Sequence, residues 1–133
     1  MARKRVLVVD DEVRLAFLLK QSLLSLGPDY DIQTASTGYD ALSIMEREPC
    51  DLVITDYRME GMGGLDLMKA IRSKRPTTLV ILMTAYGSDE VQAEAERLHA
   101  YRYLTKPFPI EEFQRIVREA LNPLTPSRLA KSA

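Results

Sequence analysis

Short apolar runs alternate with segments of helical period along this chain. Val6-Leu7-Val8-Val9 is an aliphatic run that ends abruptly in Asp10, Asp11 and Glu12. A short, continuous, β-branched run bounded by polar groups predicts a strand buried on both faces. From Glu12 to Leu26 apolar residues recur every three or four positions, and Gly27-Pro28 closes the segment, so a helix is expected there. The same alternation predicts strands over 31–35, 52–55, 79–83 and 101–105. Helices are expected over 38–47, 65–73, 88–98 and 109–121. Ser88 suits an N-cap, with Asp89 and Glu90 where the helix dipole favours acids. Pro109 suits the first position of the last helix.

Five strand–helix units result. Aliphatic strands joined by helical crossovers imply a parallel sheet covered on both faces, an α/β three-layer sandwich. Right-handed crossovers leave few topologies. The doubly wound five-stranded order 2-1-3-4-5, flavodoxin-like in plan, is the one expected, with its ligand site at the carboxyl ends of the strands. Residues 123–133 hold two prolines and little apolar content, which suggests a flexible C-terminal tail or the start of a linker after a domain over 1–122.

Composition narrows the function. The chain has 133 residues, enough for one core and not two. Its 18 basic and 19 acidic residues leave a net charge of −1, unlike the strongly basic balance of a nucleic-acid or membrane-surface domain. Cys50 and His99 are the only residues of their types, which excludes an internal disulfide and Cys₄ or Cys₂His₂ zinc. The basic start, Met1 to Arg5, precedes only four apolar residues, too few for a secretory signal. No run approaches the roughly 18 apolar residues of a membrane span. A cytoplasmic protein is expected.

The chemistry lies at the strand ends. The first strand delivers Asp10 and Asp11, the third Asp56, the fourth Thr84 and the fifth Lys106. In a parallel sheet all five converge on one edge. Three close carboxylates repel one another and raise their own pKa values. A hard divalent cation relieves this, because Mg²⁺ takes one or two carboxylates, water and a phosphate oxygen. With a lysine charge and a threonine hydroxyl alongside, the cluster suits a phosphoryl group carried on a carboxylate. Taken alone, Asp10-Asp11 could equally be a helix cap, and a strand-end Asp is often only a turn residue. The ordered set of five is what points to a site.

Val8-Val9-Asp10-Asp11-Glu12, the apolar run into Asp56, Met83-Thr84-Ala85 and Lys106-Pro107-Phe108 together resemble the receiver domain of two-component response regulators, a CheY-like fold, over about residues 4 to 121. The resemblance implies that Asp56 accepts a phosphoryl group from a phosphohistidine of a sensor histidine kinase or phosphotransfer protein. It implies that Asp11 binds Mg²⁺ or Mn²⁺ directly, Asp10 largely through water, with Asp56 and the backbone carbonyl of Arg58 as further ligands. Thr84 would then contact the phosphoryl group, Lys106 would pair with its oxygens, and Tyr103 would be the switch aromatic. The Lys106-Pro107 bond would be cis. Phosphorylation would reshape the surface of the fourth helix, fifth strand and fifth helix, which signals to an output domain or partner.

Glu60 stands where the family usually has proline, and Gly61, Gly63 and Gly64 follow, so a looser loop is expected. Arg58 and Tyr86 flank the acceptor and are expected to restrict water and prolong the phosphorylated state. On the first helix, Leu15, Leu19, Leu23 and Leu26 form the core-facing stripe. Val13, Phe17 and Leu24 form a second, a candidate contact for a kinase helix or a second copy of the chain. The resemblance implies a self-modifying protein and not a conventional enzyme. It implies either a stand-alone receiver or one preceding an effector, with a similarity to receivers that precede a transcriptional ATPase. A phosphorylation-independent interaction module is the alternative. A phosphohydrolase with an Asp-x-Asp nucleophile motif is disfavoured by the adjacent Asp10-Asp11, and a flavodoxin-type cofactor site by acids where a phosphate loop belongs.

Overall fold

The computed structural model describes residues 3–85 and 87–122. Its elements run β1 (Lys4–Val9), α1 (Val13–Leu24), β2 (Tyr30–Ala35), α2 (Gly38–Arg47), β3 (Leu52–Asp56), α3 (Gly64–Lys74), β4 (Leu79–Thr84), α4 (Asp89–Arg97), β5 (Arg102–Thr105) and α5 (Ile110–Leu121). The five strands form one sheet in the order β2-β1-β3-β4-β5, and every neighbouring pair is parallel. This is the doubly wound α/β topology expected from the strand–helix alternation.

Strand alternation sorts the side chains into two cores. Val6, Val8, Leu52, Ile54, Ile81 and Met83 face one side and pack under α1 and α5, with Leu19, Leu23, Phe113 and Val117. Leu7, Val9, Val53, Val80 and Leu82 face the other and pack under α2, α3 and α4, with Met45, Leu67, Met68 and Ala95. Each fully buried large side chain contributes about 1.5–3 kcal/mol relative to exposure. The core stripe of α1 buries Ala16, Leu19 and Leu23, while Leu15 and Leu26 are half-buried.

Element ends differ from expectation where polar residues join a ladder. β1 starts at Lys4 because Lys4 and Arg5 pair with Tyr30 and Asp31 of the edge strand, so its exposed start carries no apolar signal. Ser88 caps α4, its hydroxyl accepting from Val91 N. Pro109 is the N-cap of α5, outside its first turn, with ψ at 139° in the extended region. No helix among the described residues is long and apolar enough to cross a membrane.

Candidate functional site

Parallel strands put their carboxyl ends on one edge, and the acidic residues meet there. Oxygens of Asp10, Asp11 and Asp56 all lie within 4.8 Å of one another. Asp10 is 1% exposed and both of its carboxylate oxygens are engaged. Oδ1 accepts from Glu12 N at 2.9 Å, and Oδ2 receives Lys106 Nζ at 3.0 Å. Glu12, and neither Asp10 nor Asp11, is the N-cap of α1, and among the described residues no side chain caps that helix; Asp10 instead fixes the backbone that leads into it and belongs to the cluster. Asp11, the next residue, is exposed and sets its carboxylate at the open side of the cluster.

Asp56 ends β3, and its side chain is 12% exposed. Lys106 Nζ lies 3.0 Å from Asp56 Oδ1, so one ammonium bridges two carboxylates from different strands. Burial, above all, raises the Asp56 carboxyl above the usual carboxylate range, and the charges of Asp10 and Asp11 add to this against the opposing pull of Lys106. Desolvation alone would lower the Lys106 ammonium. Its hydrogen bonds to Asp56 and Asp10 outweigh that effect and raise it. The Lys106 ammonium therefore offsets two carboxylates, with a third, Asp11, close beside them. The hard oxygen donors suit a divalent cation such as Mg²⁺, which takes carboxylate, carbonyl and water ligands.

The backbone holds these ends in place. Tyr57 N donates to Met83 O at 2.7 Å, and Lys106 N donates to Thr84 O at 2.7 Å, so β3, β4 and β5 stay tied past their ladders. Thr84 is 1% exposed at the end of β4, in register with Thr105. The Lys106-Pro107 bond is cis, as expected. Tyr103 is half-buried on β5, and its hydroxyl is buried without a hydrogen-bond partner among the described residues. It lies beneath the β4–α4 connection, where a Cβ placed on Gly87 would come within 2.9 Å of the hydroxyl. Arg58 is exposed in the β3–α3 loop and borders the same depression as Asp11, Glu60 and Lys69. Tyr86 lies outside the described residues, as does the segment 123–133.

Other placements were less legible. Gly64 permits close passage of the chain behind Asp56: a Cβ there would collide with the Asp56 carbonyl oxygen. The glycine cluster signals a loop, and nothing local says which glycine is sterically required. Of the second α1 stripe, Val13 and Phe17 are 70% and 58% exposed and border the groove between α1 and α2. Leu18 is 59% exposed as well, although its apolar character gives no sign of it.

Fold and cluster together define a doubly wound α/β domain with an acidic, cation-competent site at its strand ends. The family model of the response regulator receiver domain matches residues 6–118. The chain belongs to that family. It is 36% identical over 121 residues to the response regulator protein PilR of Pseudomonas aeruginosa, covering 91% of this chain and 27% of that protein. It is 33% identical over 121 residues to sporulation initiation phosphotransferase F of Bacillus subtilis, covering 91% and 96%. Among solved structures, the signal receiver domain of a LuxO repressor protein from Vibrio parahaemolyticus superposes with a TM-score of 0.83 at 34% identity, over 90% of each chain. The chain spans about a quarter of the length of PilR and of the regulatory protein AtoC of Escherichia coli.

Proposed function

We propose that this chain accepts a phosphoryl group on Asp56 from a phosphohistidine of a sensor kinase or phosphotransfer protein and passes the change on through its α4-β5-α5 surface. One observation carries the reading: Asp56 Oδ1 stands 3.0 Å from the Lys106 ammonium, beside the oxygens of Asp10 and Asp11. In the step, an Asp56 carboxylate oxygen attacks phosphorus, the P–N bond to the donor imidazole breaks, and that nitrogen leaves with the bond pair and takes a proton. Lys106 neutralises the phosphoryl oxygens as their charge shifts. Asp10 holds Lys106 in place, and Thr84 donates to the phosphoryl group. Asp11, Asp56 and the Arg58 carbonyl would hold Mg²⁺ or Mn²⁺, with Asp10 acting through water, and the cation would supply charge neutralisation.

Acylphosphate formation adds close to two negative charges at one point. Thr84 moves toward them, and Tyr103, whose hydroxyl has no partner among the described residues, responds with α4 and β5. Arg58 and Tyr86 limit water at the acylphosphate. We take 1–122 as the receiver and 123–133 as a tail or linker toward an output domain or effector, in a cytoplasmic protein. Incubation with acetyl phosphate and Mg²⁺ should add one phosphoryl group by intact mass, and Asp56→Asn should abolish the gain. A wild-type protein that stays unmodified would favour the phosphorylation-independent module.

A further inference from the structure

The loop that follows Asp56 is short of internal support. Among the described residues, no hydrogen bond engages the backbone of Met59, Glu60, Gly61 or Met62. The loop closes at its base, where Gly64 N donates to Tyr57 O at 2.9 Å. Gly61 has φ +82°, a conformation open to glycine and costly for other residues. Side-chain packing must therefore hold the loop: Met59 is buried in the core beneath it, and the first turn of α2 packs against Gly61 and Met62. Gly38 is buried, and the Met62 side chain rests against it. A Cβ on Gly38 would lie 2.7 Å from Met62 Sδ and 2.9 Å from both Met62 Cβ and Cγ. One residue on, the Tyr39 ring covers Gly61, where a Cβ would come within 3.2 Å of Cε2. The turn itself is fixed, because Thr37 Oγ1 accepts from Asp40 N at 3.0 Å and Ala41 and Met45 anchor α2 in the core.

We propose that Gly38 and Tyr39 are positioning residues for the acidic site. They seat Met62 and Gly61, and so set the path of the loop that carries Arg58 away from Asp56. The contact with Met62 Cβ makes this more than a movable side-chain tip: a methyl on Gly38 displaces the loop backbone. Tyr39 is 62% exposed, so the site loop is reachable from the protein surface through one ring. The inference rests on the divalent-cation and phosphoacceptor reading above, and it concerns how this chain holds that geometry.

Gly38→Ala, Tyr39→Ala, Met62→Gly and the double variant Gly38→Ala/Met62→Gly provide the test. The readouts are Mg²⁺ affinity by calorimetry, amide exchange over 57–63 in metal-free protein, and thermal stability. Gly38→Ala should weaken Mg²⁺ binding about 10-fold, the low end for residues that orient metal ligands, and speed exchange in the loop. Tyr39→Ala should act in the same direction with a smaller loss. Adding Gly38→Ala to Met62→Gly should cost no further Mg²⁺ affinity, because the contact is already gone. A purely structural role would move the melting temperature and leave Mg²⁺ affinity alone. Wild-type affinity and exchange in folded Gly38→Ala would overturn the proposal, and if that variant does not fold, the same result in Tyr39→Ala would do so. Wild-type protein that binds no Mg²⁺ would instead overturn the underlying reading of the site.

Discussion

Replacing Lys106 with methionine isolates the charge balance of the site, because methionine keeps most of the stem and removes the ammonium. That ammonium lies 3.0 Å from Asp10 Oδ2 and 3.0 Å from Asp56 Oδ1. At an effective dielectric constant of about 20, each such contact represents roughly 5 kcal/mol of Coulomb attraction. Desolvation of the partners offsets most of it. Removing one member of a buried pair costs about 3–5 kcal/mol, and Lys106 keeps 17% of its side chain exposed. The lower end therefore applies, about 3 kcal/mol at neutral pH without divalent cation.

The loss carries a pH signature. Burial raises the Asp56 carboxyl first of all, the neighbouring aspartates add to it, and Lys106 opposes both. Without Lys106 the opposing influence disappears and the carboxyl rises further. A carboxyl with a folded pKa above its unfolded value binds its proton more tightly in the native state. Its contribution to stability is full below the unfolded pKa and is lost as pH rises through the folded pKa. The deficit of Lys106→Met should therefore be small near the unfolded carboxylate pKa of about 4 and grow toward neutrality. Saturating Mg²⁺ should recover part of it, by supplying positive charge to the same oxygens. Urea unfolding followed by circular dichroism, in EDTA and in Mg²⁺ across this pH range, measures each point. Wild-type stability at neutral pH in EDTA, or a deficit independent of pH, would refute the reasoning.

Two further outcomes follow from groups away from the site. The Arg72 guanidinium on α3 donates to the carbonyls of Leu98 at 3.1 Å, His99 at 3.0 Å and Thr78, and so clamps the end of α4 to the end of α3. Arg72→Ala should cost about 2 kcal/mol in urea unfolding, as expected for charge-assisted bonds in a partly solvated place, and Arg72→Lys should not restore it because one ammonium cannot span three carbonyls. Burial, aided by the charges of Asp51, Asp31 and Glu48 and opposed by Arg5, pushes the Cys50 thiol up to about 11 from 9.0. The native thiol should resist alkylation at mildly alkaline pH until the protein unfolds, and stability should fall as pH rises from 9 toward 11, because the unfolded thiol loses its proton first. Alkylation of native protein at the rate of a free thiol would contradict this.

What was legible in the chain depended on how far each fact reaches. Asp10, Asp56 and Lys106 meet because each sits at the carboxyl end of its strand or one residue past it, and strand direction alone brings them together. Their convergence needs no knowledge of side-chain geometry, so a pattern of apolar runs was enough. The same pattern missed the start of β1, where Lys4 and Arg5 owe their place to backbone pairing with β2 and not to burial. It also gave no hint that Arg72 is committed to carbonyls 26 and 27 residues further on, since a cation in a last helical turn reads as a solvated charge. The β3–α3 loop is the instructive case. Its glycines and Glu60 suggest looseness, and the backbone of 59–62 is indeed without hydrogen bonds among the described residues. Yet Gly38 and Tyr39, from another element, pack against it. Local composition reports the freedom a segment would have alone; whether it keeps that freedom is decided by neighbours that no local window contains. Functional loops are therefore where reading from sequence fails first, even when strand direction has already brought the acids together.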